Sequence, residues 1–151
     1  MTLLNSLSRI DRTITIKAPP ERVYRALTTA SEIAVWFQTV VEGEIAAGNE
    51  VWMTCSGQRF RVEFVEMTPP TRFAWRWHPG AVDPAVDYSQ EARTTVTFTL
   101  EPAEGGTLLH VSETGFDEVR LARRAAVYED NSNGWTEVLG WLHEYVEREN
   151  G

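Results

Sequence analysis

The run Gly134-Trp135-Thr136-Glu137-Val138-Leu139-Gly140-Trp141-Leu142-His143-Glu144-Tyr145-Val146-Glu147 carries its structure in its spacing. Trp135, Val138, Leu139, Leu142, Tyr145 and Val146 recur at steps of three and four, which makes one continuous apolar stripe on a helix. Glu137, Glu144, Glu147 and Arg148 fall off the stripe. Such a helix has to bury its stripe against something large. The only large candidate is the preceding stretch, where the period is two.

From Thr39 to Gly115 apolar and polar residues alternate in short runs broken by turn residues, the pattern of antiparallel strands. Val40 to Ile45 reads as a weak strand. Glu50 to Cys55 and Gln58 to Met67 follow, joined at Ser56-Gly57. In Arg72 to His78, Phe73, Trp75 and Trp77 share one face, and Ala74, Arg76 and His78 the other. Arg93 to Glu101 alternates Val96, Phe98 and Leu100 with threonines. Glu104-Gly105-Gly106 turns the chain back along Thr107 to Thr114. Upstream, Asp11 to Lys17 is a half-buried strand. Pro20 and Glu21 open a short helix, and a second short helix is expected to start at Ser31 as its cap. Val119 to Tyr128 is a further amphipathic stretch, and Asp130 to Gly134 reads either as a break or as a cap before the last helix.

The chain thus reads as one α+β domain over 1–151, with residues 1–9 expected to be flexible. Its order is a strand, two short helices, about six further antiparallel strands and a long C-terminal helix. A long curved sheet and a straight helix do not meet along their whole length. A cavity for an apolar or aromatic small molecule is therefore expected between them.

Composition narrows the partners. The 151 residues hold 14 Lys plus Arg against 22 Asp plus Glu, a net charge of −8. That surface repels phosphate backbones and anionic headgroups, so neither nucleic acid nor membrane is expected. No apolar run reaches the ~20 residues of a membrane helix, and no secretory leader is read at the N-terminus, so the expected compartment is the cytoplasm. A single cysteine, Cys55, excludes an internal disulfide framework and a multi-cysteine metal site. His143-Glu144-Tyr145-Val146-Glu147 lacks the second histidine of a zinc-protease helix. No metal and no cofactor are expected. Unpaired sheet edges leave a homodimer open.

Several segments together carry a family likeness. They are Ala18-Pro19-Pro20-Glu21-Arg22-Val23-Tyr24-Arg25-Ala26-Leu27, then Glu32 to Phe37, Phe73 to Pro79, Gly106 to Phe116, and Gly134-Trp135 opening the last helix. In this order and spacing the chain resembles the SRPBCC (START-like) superfamily, in particular its activator of heat-shock-protein-90 ATPase homologue-like branch. The resemblance spans about Ile10 to Tyr145. It implies the helix-grip (START/Bet v 1-like) fold, a curved sheet of six or seven strands wrapped on the C-terminal helix. It also implies one of three kinds of function: ligand binding, cyclisation of polyketide type, or co-chaperone action. Fold follows from such a likeness far better than function.

The residues expected to line the cavity are Trp36, Phe60, Trp75, Trp77, Tyr88, Phe98, Glu113, Tyr128, Trp135 and Leu139. For each ring, packing on its neighbours is the plainer alternative. Buried indole N–H and phenol O–H groups need partners, which a ligand can supply. Glu113 is in phase with Leu109 and Val111, so it should point to the helix. There it could anchor a ligand, or act as acid or base in an enzyme in which Tyr128 or Trp135 orients a carbonyl. The plainer alternative is a strand-end ion pair with Arg123 or Arg124. Pro79 to Glu91 is long enough to be a lid over the cavity mouth, with Tyr88 its expected ligand contact. Its two aspartates, Asp83 and Asp87, make a weak cation site. His110 is expected to face solvent and His78 to sit at a loop edge.

Overall fold

A computed structural model of the chain describes residues 8–55, 57–79 and 91–150. Strand β1 is Arg9–Ile16, followed by helices α1, Pro20–Thr28, and α2, Ala30–Trp36. Then come β2, Val40–Glu42; β3, Glu50–Cys55; β4, Gln58–Thr68; β5, Arg72–Trp77; β6, Thr94–Ala103; and β7, Gly106–Thr114. A 3-10 turn, Phe116–Glu118, leads into helix α3, Leu121–Asn150. The strands form one seven-stranded antiparallel sheet in the order β1-β7-β6-β5-β4-β3-β2. Only the first strand is out of sequence order, because it crosses over to pair with the last. A register shift between Phe64 and Glu66 interrupts the β4–β5 ladder, and such bulges increase local bending.

Alternation sorts the side chains as the period of two requires. Val51 and Met53, Val62 and Phe64, Phe73 and Trp75, Val96, Phe98 and Leu100, and Leu109 and Val111 are all buried. Helix α3 lays Val127, Trp135, Leu139, Leu142 and Val146 on this face. Helix α1 adds Val23, Tyr24, Ala26 and Leu27, and α2 adds Ile33 and Trp36. The helix-grip architecture is present.

Several boundaries differ from the periodicity: β2 stops at Glu42 and not at Ile45, β6 runs from Thr94 to Ala103 and not from Arg93 to Glu101, and three further differences bear on the helices and the first strand. Residues 130–134 neither break nor cap anything: α3 runs unbroken through them for 30 residues. Polar side chains there are held by the sheet, since the Arg12 guanidinium donates to the Ser132 carbonyl at 3.0 Å and its hydroxyl at 2.7 Å, and to the Thr136 hydroxyl at 3.2 Å. Tertiary contact thus outweighs the turn preference of Asp, Asn, Ser and Gly. Second, Thr29 and not Ser31 precedes α2, and among the described residues no side chain caps that helix. Third, β1 begins at Arg9, opposite Thr114, two residues before the visible alternation.

Candidate functional site

Five aromatic rings fill the middle of the space between sheet and helix. Phe64 stacks on Phe73 with centroids 5.6 Å apart, and Phe73 on Phe98 at 5.7 Å. Trp75 lies 5.1 Å from Phe98 and 6.3 Å from Trp135. Helix and sheet therefore mesh over this stretch. Phe98, Trp75 and Leu139, all expected to line a cavity, lie in the packed core. The Trp75 Nε1–H is buried and meets no acceptor among the described residues.

Where the ring packing stops, between the end of β5, the residue after α2 and the middle of α3, a pocket of about 140 Å³ remains. Phe37, Trp77, Trp135 and Val138 supply its apolar wall. Asp130, Asn131 and Gly134 complete it along one side of α3. A pocket of this size is close to an engineered cavity of ~150 Å³ that holds benzene. It is well below the ~300 Å³ at which pockets for drug-sized molecules begin.

Glu113 lies behind this wall and is fully buried. Four side chains donate to it. Trp135 Nε1 gives a hydrogen bond of 2.8 Å to Oε1, and Trp77 Nε1 one of 2.8 Å to Oε2. The Thr94 hydroxyl donates to Oε2 at 2.5 Å, and Asn131 Nδ2 reaches both oxygens, at 2.9 and 3.0 Å. A carboxylate has about four acceptor positions, so the chain's own donors occupy them all. None of these partners is cationic. The arginine pairing considered from the sequence does not form: Arg123 pairs with Glu91, and Arg124 donates to the backbone carbonyls of Asp117 and Val119.

The other expected site residues are dispersed. Trp36 donates its indole N–H to the Ala26 carbonyl at 2.7 Å, which locks α2 to α1. Phe60 packs edge-on against Trp77, with centroids 5.7 Å apart. Tyr128 points to the far side, where its hydroxyl donates to the Arg9 carbonyl and its ring packs on Phe116. Tyr88, Asp83, Asp87 and the body of the expected lid lie outside the described residues. At that segment's flanks, His78 Nε2 lies 3.2 Å from the Glu91 carbonyl. His110 is partly exposed and pairs with Asp11 at 3.0 Å.

Six participants escaped the sequence reading of the site: Phe37, Thr94, Asp130, Asn131, Gly134 and Val138. Three carried a signal, Val138 by its place on the apolar stripe of the last helix. Thr94 is in phase with Val96 and Phe98, hence inward. Asn131 sits one helical turn before Trp135, provided the helix continues through it.

A second concavity, on the opposite face of the sheet, is wide and charged. It is lined by Glu50, Glu63, Arg76, Arg93 and Thr95. Arg93 lies 3.5 Å from Glu50 and 3.3 Å from Glu63, the paired pattern of an ordinary solvated sheet face.

The family model described as Activator of Hsp90 ATPase homolog 1-like protein matches residues 17–147. The chain belongs to this family. Among solved structures similar to this Activator of Hsp90 ATPase homolog 1-like chain is protein MLL2253 from Mesorhizobium loti. It is 28% identical, with 93% of this chain and 97% of that one aligned, at a TM-score of 0.76. The Aha1 dimer from Colwellia psychrerythraea is 22% identical over 95% and 98% of the two chains, at a TM-score of 0.73. DynU16, a protein of the dynemicin biosynthetic locus, is 22% identical over 93% of this chain and 47% of its own, also at 0.73. The latter two show likeness of fold alone. Among curated proteins, no sequence matches the chain.

Proposed function

We propose that the protein binds a small molecule by one ring or one compact branched group, held between Phe37, Trp77, Trp135 and Val138. The observation that carries this reading is the coincidence of pocket and clamp. The two indoles that wall the pocket are the two that Glu113 fixes by their N–H groups. Rings anchored in this way are already in their binding geometry, so little ordering entropy opposes capture of a guest. Glu113 is on this reading a positioning residue. Acid or base work needs a lone pair or proton directed at the substrate, and its oxygens are engaged by Trp77, Thr94, Asn131 and Trp135. This favours binding over the enzyme reading.

Gly134 gives the test. It lies inside α3, where glycine costs about 1 kcal/mol relative to alanine, and it lines the pocket. Among the described residues, a Cβ at this position meets no atom within 4 Å apart from its immediate neighbours and its own stretch of helix backbone, so a methyl group there takes pocket space without a clash. Phenol and indole titrated against the wild type should perturb the indole N–H resonances of Trp77 and Trp135. Gly134→Ala should weaken that binding several-fold while remaining fully folded. Equal affinity in the two proteins, or no perturbation of either resonance, counts against the pocket as the binding site.

A further inference from the structure

We infer that the pocket prefers a small organic cation, of the size of a trimethylammonium group, to a neutral molecule of the same shape. The inference rests on the binding reading above and adds the chemical class of the guest.

Four observations point the same way. The walls include three aromatic rings, those of Phe37, Trp77 and Trp135. Rings attract cations through their negative faces, most strongly for indole. Second, both indoles spend their N–H on Glu113. That turns their positive nitrogen edges towards the carboxylate and leaves ring carbon for the pocket. A hydrogen bond from indole N–H to a carboxylate also pushes electron density into the ring, which strengthens its pull on a cation. Third, the charged side chain in the described lining is acidic. Asp130 is the one charged side chain in the described lining, it is exposed, and it makes no ion pair among the described residues. Glu113 behind the rings has no cationic partner among the groups that hold it. The chain as a whole carries −8, a field that draws cations in and keeps anions out. Fourth, the volume of about 140 Å³ suits a compact group. It is too small for a cation to bring its hydration shell along, and desolvation is the condition under which cation–π attraction is largest.

Choline and its carbon isostere 3,3-dimethylbutan-1-ol differ in charge and scarcely in shape, so they isolate the effect. Each is titrated into the full chain, with the indole N–H resonances of Trp77 and Trp135 as the readout. Choline should bind about tenfold more tightly, a difference worth about 1.4 kcal/mol. Asp130→Asn should reduce that ratio several-fold, since it removes the one charged side chain of the described lining. Equal affinities, or tighter binding of the alcohol, overturn the cation preference and leave the apolar pocket standing. A ratio unmoved by Asp130→Asn likewise overturns the assigned role of the acidic rim. If phenol, indole, choline and the alcohol all fail to perturb either resonance, the binding reading falls together with this one.

Discussion

Glu113 is the residue on which the most depends. It is wholly buried and receives hydrogen bonds from β5, β6 and two positions of α3. Burying a carboxylate is costly unless its oxygens are met, and here donors meet them from three elements. In Glu113→Gln the amide nitrogen replaces one acceptor and faces donors. Hydrogen bonds to charged groups contribute about 1.5–3 kcal/mol each. The variant should lose about 2–3 kcal/mol, read as a lower urea midpoint. The Trp77 and Trp135 indole protons should also shift upfield as their acceptor weakens. An unchanged midpoint would mean that the clamp contributes nothing. Tyr24 presents the opposite case, a buried hydroxyl with no partner among the described residues. Burial, helped by the negative charge of Glu66, holds its phenol above the usual value near 10. A raised folded value means that stability is complete below pH ~10 and lost as pH rises through the folded value. Tyr145 is shifted in the same direction, first by burial and then by its hydrogen bond to Glu32. Tyr24→Phe removes an unsatisfied hydroxyl and one ionisation. It should match the wild type at pH 7 or exceed it by up to about 1 kcal/mol. Its decline in alkali should be shallower but not abolished. Denaturation at pH 7 and pH 11 checks both halves.

At the scale of elements, α3 does two jobs with one surface. Its apolar stripe covers the sheet, and one side of its middle turns, from Asp130 to Val138, shapes the pocket. The first of those turns, Asp130 to Gly134, is polar and contains glycine, a sequence that reads as a break or a cap. These turns remain helical because Arg12 grips Ser132 and Thr136 from β1, while Asn131 and Trp135 are tied to Glu113 on β7. The glycine that opens the pocket weakens the helix that builds it. Gly134→Ala should accordingly raise stability by about 0.5–1 kcal/mol, alongside its loss of ligand affinity. A gain in stability without that loss would show that the residue has no part in the site. Of the stretch Pro79 to Glu91, read as a lid from its length, residues 80–90 lie outside the described residues.

For the whole molecule, the long-range field is the property that the pocket alone does not define. Charge of −8 spread over 151 residues acts on an approaching ion at separations within the screening length. That length falls from ~30 Å at 0.01 M salt to ~8 Å at 0.15 M. Choline affinity should therefore fall, by about two- to threefold, as salt rises across that range, while binding of the neutral isostere stays constant. Titrations at the two ionic strengths decide it, and identical slopes for both ligands would remove the field from the account. Among the described residues no helix is long and apolar enough to cross a membrane.

The sequence by itself determined the kinds of elements, their order and their inward faces. Periods of two and near 3.6 are properties of the local backbone, and burial enforces them residue by residue. It is for this reason that the inward orientation of Glu113, Phe73, Trp75, Phe98 and Trp135 was legible. Tertiary structure alone decided that α3 runs straight through residues 130–134, that aromatic rings fill the centre of the interface, and that Glu113 meets two indoles, a hydroxyl and an amide instead of an arginine. These outcomes turn on distances between segments 18 to 36 residues apart in the chain. No local pattern carries such distances; they are set only when sheet and helix close on each other.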